Sequence, residues 1–286
     1  MDIKFHCKEG ANFKGESQPV RAFSYKDYFI EPHNHDFYEM NIVLGGTGIH
    51  RIESSGFSVR RGDVFVIPPM TVHAYYDTEN LEVYHVLFKK DFIRNNMKEA
   101  EGAVGFIQLM EIEPFLRQNC GEAMFLHLNP QNLSTILEDL RCLEEGGEFD
   151  GDGCIPLRIH TAWKLIYRLS FLLAEQTEKQ KHQKKIKHQR QIFDALEYIH
   201  QHFSEKITVS DLSERAYLSR STFLRSFSEI CGISPTDYLN QYRVRRALEL
   251  LSASEKSKTE IAHLVGFYDL SHMERTIKLQ RTAAVE

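Results

Sequence analysis

The chain has 286 residues, 42% hydrophobic and 26% charged, which is enough for two ordinary domains with buried cores and too apolar for wholesale disorder. A formal net charge of −5 excludes binding to nucleic acid by overall charge, so any contact with DNA needs a locally basic face. The five cysteines, Cys7, Cys120, Cys142, Cys154 and Cys231, are scattered and form no CxxC, which argues against a disulfide framework or zinc knuckle and for free thiols in a reducing cytoplasm.

The first ten residues, MDIKFHCKEG, lack the apolar core of a signal peptide. The longest apolar-rich stretch, WKLIYRLSFLLAEQ, is too short to span a bilayer and contains Arg168, so no membrane partner is expected. From about residue 20 to 90 the pattern alternates: EMNIVL, TGIHRIE, FSVRR, DVFVIPP, HAYY and EVYHVLF read as short strands. Gly45-Gly46, Ser54-Ser55-Gly56 and Arg61-Gly62-Asp63 between them have the chemistry of turns. Many short, closely spaced strands predict an antiparallel barrel or jelly roll within residues 1–100.

Inside this region PHNHDFYEM carries His33, His35 and Glu39 at odd positions, so a single extended strand would put them on one face with Phe37 between. GDVFVIPPMTVHAYYD adds His73 after a strand and two prolines. Three imidazoles and a carboxylate are a credible ligand set for Zn, Fe, Mn or Ni. The same histidines can instead bond the hydroxyls of an effector, with Phe37, Tyr75 or Tyr84 stacking on its face. His6, His50, His85, His127 and His160 stand isolated and need no role.

Residues 101–175 turn helical: Leu133, Ile136, Leu137, Leu140 and Leu143 mark one stripe, and Leu165, Leu169, Leu172 and Leu173 another. These helices are expected to cap the barrel or to form a dimer seam. Residues 176–190 lose the stripe, become polar and basic, and read as a linker.

Residues 191–286 are helical throughout. Ile192, Leu196, Ile199 and Phe203 give a first apolar face; Thr208 and Ser219 are candidate N-caps, Gly232 a C-terminal stop, and Ser234-Pro235 opens a long helix. STFLRSF (221–227) returns as SHMERTI (271–277): Ser221 falls on Ser271, Phe223 on Met273, Arg225 on Arg275 and Phe227 on Ile277. Each copy follows a short helix and a tight turn, the second with Gly266 at the turn, which is the helix-turn-helix pattern. Acidic and basic residues balance over this region, so the duplex must meet a local basic face.

Residues 190–278 resemble the DNA-binding domain of AraC/XylS-type transcription regulators, on the runs GISPTDYL, RRALELL and IAHLVGFYDLS. The resemblance implies two helix-turn-helix subdomains joined by one helix, reading adjacent major-groove segments. It carries base-facing roles to Ser221, Leu224 and Arg225 and to Ser271 and Arg275, with Arg220 and His272 as neighbours. It fails at the end: Thr282, Ala284 and Val285 stand where the first unit has Gly232, Ser234 and Pro235, and Met273 and Ile277 replace the usual phenylalanines. A second unit less stable and weaker in binding than the first is therefore expected.

Residues 20–90 resemble cupins through His33, His35, Glu39 and Gly46, then Gly62, Pro68, His73 and Asp77, with Met70 in place of the usual glycine. In metallo-cupins those three histidines and the glutamate hold the ion, whereas sensor barrels of AraC-type regulators often keep the pattern to bind a sugar or related metabolite. The expected whole is an α+β chain, barrel with helical cap followed by an all-α double helix-turn-helix domain. It would act without turnover as a small-molecule-controlled regulator, binding double-stranded DNA as a homodimer with RNA polymerase as a further partner. The competing expectation is a metal-dependent cupin isomerase or oxygenase with a helical appendage.

Overall fold

The computed structural model describes residues 3–13, 18–53, 55–100, 102–120, 125–146, 151–183, 188–253 and 256–283. The chain divides into two compact units, 1–184 and 185–286.

The first unit begins with β1 (Phe5–Cys7), the single-turn α1 (Glu9–Asn12), β2 (Val20–Tyr25) and β3 (Ile30–His35). Two long strands follow, β4 (Tyr38–Ile52) and β7 (His73–Phe88), with β5 (Ser55–Arg60) and β6 (Asp63–Ile67) between them in sequence. β4 contains both EMNIVL and TGIHRIE, and β7 contains both HAYY and EVYHVLF, so the sequence reading of two strands is corrected to one in each case. Gly45-Gly46 does not turn the chain; it sits where the β4–β7 register slips. Gly46 (φ +69) and, on β7, Asp77 (φ 47) and Asn80 (φ 47) adopt the left-handed backbone that a bulge needs. A Cβ on Gly46 would lie 2.2 Å from the Asn80 carbonyl oxygen, so only glycine permits this approach. Turn and bulge use the same residue types, and sequence alone does not separate them.

The bulges bend β4 and β7 together and divide the sheet into two halves. The first halves of β4 (Glu39 to Ile42) pair with β6 and with the end of β7, which also holds β2. The second half of β4 pairs with β5 and with the start of β7, which holds β3 and through it β1. Among the described residues the pairing runs from β1 to the two-residue β8 (Leu126–His127) without rejoining, so it is a folded open sheet rather than a closed barrel.

Helices then cover this sheet: α2 (Lys90–Ala100), a π-helical turn Gln108–Ile112, α3 (Glu113–Cys120), α4 (Pro130–Leu143) and, after a 3₁₀ turn Asp152–Cys154, α5 (Ile155–Gln183). Leu133, Ile136, Leu140 and Leu143 of α4 and Leu165, Leu169 and Leu173 of α5 are buried, as their spacing predicts. Asp139, buried between these helices, is neutralised by Lys164 at 2.7 Å and Arg168 at 2.8 Å. α5 runs through residues 176–183, the first part of the segment read as a linker; residues 184–187 lie outside the described residues.

The second unit holds α6 (Gln189–His202), α7 (Val209–Arg215), α8 (Arg220–Cys231), α9 (Pro235–Ala253), α10 (Lys258–Leu264) and α11 (Leu270–Ala283). Thr208 caps α7 in a full capping box with Asp211, Ser219 caps α8 by accepting from the Thr222 N–H, and Gly232 ends α8 at φ 72. Ser257 and Glu260 repeat the capping box before α10. Among the described residues no helix is long and apolar enough to cross a membrane.

Candidate functional site

The DNA-facing candidates behave as the helix periodicity requires. On α8, Phe223 and Phe227 are fully buried, while Arg220, Ser221 and Arg225 are exposed and Leu224 is half-buried. On α11, Met273 is buried, Ser271 and Arg275 are exposed and His272 is half-buried. Each recognition helix is started by a side-chain cap fifty positions from its counterpart: Ser219 for α8, and Asp269, whose carboxylate accepts the His272 N–H at 2.7 Å, for α11. Both units also turn through a left-handed residue after the short helix, Tyr217 (φ 52) in the first and Gly266 (φ 86) in the second. Arg225 lies 4.0 Å from Glu229 on the open surface, a distance that leaves it available to a phosphate or a guanine edge. Of the divergent tail, residues 284–286 lie outside the described residues.

In the first unit, His33, His35 and Glu39 do not share one strand, contrary to the sequence reading. The chain bends at Asp36-Phe37, between β3 and β4, and the Asp36 carboxylate there accepts the Glu9 N–H. The three side chains still meet, because the bend folds His35 back onto Glu39: His35 Nε2 lies 3.0 Å from Glu39 Oε2. His73 reaches the same oxygen at 3.5 Å, and its ring centre lies 4.2 Å from that of His33. Candidate ligand atoms of His33, Glu39 and His73 all fall within 4.8 Å of one another.

Outer hydrogen bonds orient the rings. His33 Nδ1 donates to the Glu31 carbonyl at 3.0 Å and His35 Nδ1 to the Phe37 carbonyl at 2.7 Å. A carbonyl only accepts, so the Nδ1 proton is fixed and the Nε2 lone pair faces inward. His35 Nε2 and His73 Nε2 are buried without a hydrogen-bond partner. Burial works to raise the Glu39 pKa, but the imidazoles of His35, His85 and His73 packed around it outweigh that and hold the carboxyl well below its usual range. Burial lowers the pKa of His33 and, further, of His73, which favours the neutral imidazole that binds metals. An anionic carboxylate facing inward lone pairs, with orphaned nitrogens beside it, suits a divalent cation.

Two histidines set aside in the sequence reading belong to this cluster. His85 Nδ1 donates to Glu39 Oε1 at 2.7 Å, and His50 Nε2 stands 3.5 Å from His73 Nδ1. Strand register could have found His85, since it pairs with Asn41 on the face that carries Glu39. The same alternation corrects Tyr84: it points to the opposite face, where its hydroxyl donates to the Leu140 carbonyl at 2.8 Å. Phe37 is also corrected, being buried against Phe13 and stacked on His35, so it backs the site instead of stacking on a ligand. Tyr75 is inside, stacked on His50 with ring centres 4.2 Å apart and bonded through its hydroxyl to Asn41 at 3.2 Å. His6 and His127 are tied to Asn34 and Asp63 away from the cluster.

Two family profiles match the chain. Residues 20–150 match the AraC-like ligand binding domain, and residues 212–281 match a helix-turn-helix domain. The chain is 28% identical over 270 residues to the HTH-type transcriptional activator RhaS of Yersinia pestis (strain Pestoides F), covering 93% of this chain and 92% of that protein. The same figures hold for RhaS of Yersinia pseudotuberculosis serotype O:3. Among solved structures, the DNA-binding domain of AdpA in complex with a target DNA is 28% identical over 33% of this chain and 89% of that one, with a TM-score of 0.31. ToxT from Vibrio cholerae O395 is 12% identical over 91% and 94% of the two chains, with a TM-score of 0.36. With a ligand-binding domain ahead of two capped helix-turn-helix units, the chain belongs to the AraC family of DNA-binding transcription regulators.

Proposed function

We propose that this regulator senses a small hydroxylated metabolite, a sugar or a close relative, inside the folded sheet of its first unit. The observation that carries the reading is the buried cluster of His33, His35, Glu39, His73 and His85, with unpartnered nitrogens in the domain that matches ligand-binding relatives. Unpaired buried polar atoms cost stability, and a fold that keeps several together needs a partner for them. His33, His35, Glu39 and His73 would hold a divalent metal, Zn, Fe, Mn or Ni, and such an ion when bound supplies a Lewis-acid anchor for an effector oxygen. The cluster is used for recognition rather than turnover, and the protein works in the cytoplasm.

Sequence-specific contact falls to Ser221, Leu224 and Arg225 of α8 and to Ser271 and Arg275 of α11, flanked by Arg220 and His272. Dimerisation falls to residues 101–175 and the rest of α5, where Leu157, Tyr167 and Phe171 expose apolar surface among the described residues. RNA polymerase is the further partner in promoter control. Effector and DNA are coupled only if the effector binds one of two states more tightly.

The test joins two measurements on the full-length protein. Metal content after purification is expected to be stoichiometric and to fall on His33→Ala and His73→Ala. Retardation of the chain's own promoter fragment should weaken as salt rises. Absence of any sequence-preferring retardation overturns the functional reading; full metal content in both variants overturns the metal site alone.

A further inference from the structure

Arg117 of α3 is among the most buried side chains in the molecule, at 1% exposure. Its Nε donates to Glu113 Oε1 at 2.8 Å, and its Nη2 donates to Glu113 Oε2 at 3.1 Å and to the Val66 carbonyl at 2.5 Å. These bonds tie α3 to β6 and balance the charge. They leave Nη1, with two N–H groups, buried and without a partner. A buried guanidinium with idle donors is costly, because each idle N–H has given up water for nothing.

The idle end faces the interior of the folded sheet. The Arg117 guanidinium carbon stands 5.2 Å over the Phe65 ring. Phe65 pairs in register with Asn41, so their side chains are neighbours on one face. The His50 ring packs edge-on to Phe65 at 4.8 Å and stacks on Tyr75, whose hydroxyl takes the Asn41 amide proton. Asn41 Oδ1 and His50 Nδ1 are both buried and unpartnered as well. Around one phenylalanine ring, then, stand an idle cationic donor, an idle carbonyl acceptor and an idle imidazole nitrogen. None of the three belongs to the candidate metal ligands.

We propose that Arg117, Asn41 and His50 form an anion-selective subsite that takes the carboxylate end of a small polyhydroxylated acid. The Arg117 Nη1 hydrogens meet the carboxylate, a charge-assisted contact worth about twice a neutral one. Asn41 Oδ1 accepts from a hydroxyl of the same molecule, and His50 Nδ1 serves a second. The inference rests on the effector-sensing reading and narrows it from sugars in general to sugar acids. It also gives the ligand a grip on α3, since the residue that meets the anion is the one that fixes that helix to β6.

The test is thermal unfolding of the full-length protein with uronic, aldonic and aldaric acids, each beside its neutral parent sugar. At least one acid should raise Tm by roughly 5 °C at a concentration about a hundredfold above its dissociation constant, with a much smaller shift from the parent sugar. Arg117→Met, which keeps the stem and removes the charge, should abolish the acid-specific shift. Should that variant fail to fold, Asn41→Asp serves instead: its negative charge inside the subsite repels the incoming carboxylate and should abolish the shift as well. Neutral sugars stabilising as well as their acids would overturn the subsite and leave effector sensing intact. No stabilisation by any acid, or an acid shift that survives both substitutions, would also overturn it.

Discussion

In the first helix-turn-helix unit the inner face of α8 is Phe223 and Phe227, both fully buried, with ring centres 5.6 Å apart and Phe227 edge-on to Tyr238. In the second, Met273 and Ile277 hold the matching places on α11, and a hollow of about 300 Å³ opens beside them, lined also by Leu248 and Leu251. The turns invert the ranking. The second unit spends a glycine, Gly266, on its left-handed turn residue, where the first forces a tyrosine, Tyr217, into φ 52 with 95% of its surface exposed. Packing and backbone strain are thus set separately in two copies of one plan. A sequence repeat shows which positions correspond, not how well each is filled.

The largest effect should come from the packing difference. Phe223→Ala is expected to cost about 3–5 kcal/mol, and Met273→Ala less, near the low end of the roughly 2–5 kcal/mol range, because methionine is the smaller and more adaptable side chain. Chemical denaturation of full-length protein checks the pair, and equal losses would erase the asymmetry. On DNA, Arg225→Ala should weaken operator binding by about 1–3 kcal/mol, with a smaller loss for Arg275→Ala. Quantitative retardation at fixed salt measures both, and footprints with full protection under α11 would speak against a weaker second unit.

The turns give two smaller effects of opposite sign. Gly266→Ala should destabilise by at least about 1–2 kcal/mol for the left-handed backbone, and more because a Cβ would meet the Phe203 carbonyl oxygen at 2.7 Å. Tyr217→Gly should stabilise by roughly 0.5–1 kcal/mol, since glycine adopts φ 52 without the Cβ penalty and the exposed ring forfeits no packing. A Tm that falls on Tyr217→Gly would mean that the ring has a partner.

Legibility differed between the two units for a physical reason. In the second unit Thr208, Ser219, Gly232 and Ser234 end or start helices as the sequence implies, because helix ends are satisfied by residues three or four positions away. In the first unit β4 and β7 each look like two strands in the sequence, because a bulge and a turn use the same glycines and aspartates. Tyr84 and His85 show the limit most plainly: adjacent in sequence, they face opposite sides of β7, and only the pairing with β4 says which side holds Glu39.

By itself the sequence determined the two-part plan and the paired recognition helices, which follow from short-range periodicity, and it offered His33, His35, Glu39 and His73 as candidate ligands through their resemblance to the cupin motifs. The tertiary structure alone decided that the sheet is folded but open, that His50 and His85 join the cluster, and that Arg117 brings an idle guanidinium to Phe65 from 52 residues along the chain. Those facts depend on strand register and on which helix closes over which sheet edge, and contacts of that range leave no local pattern to read.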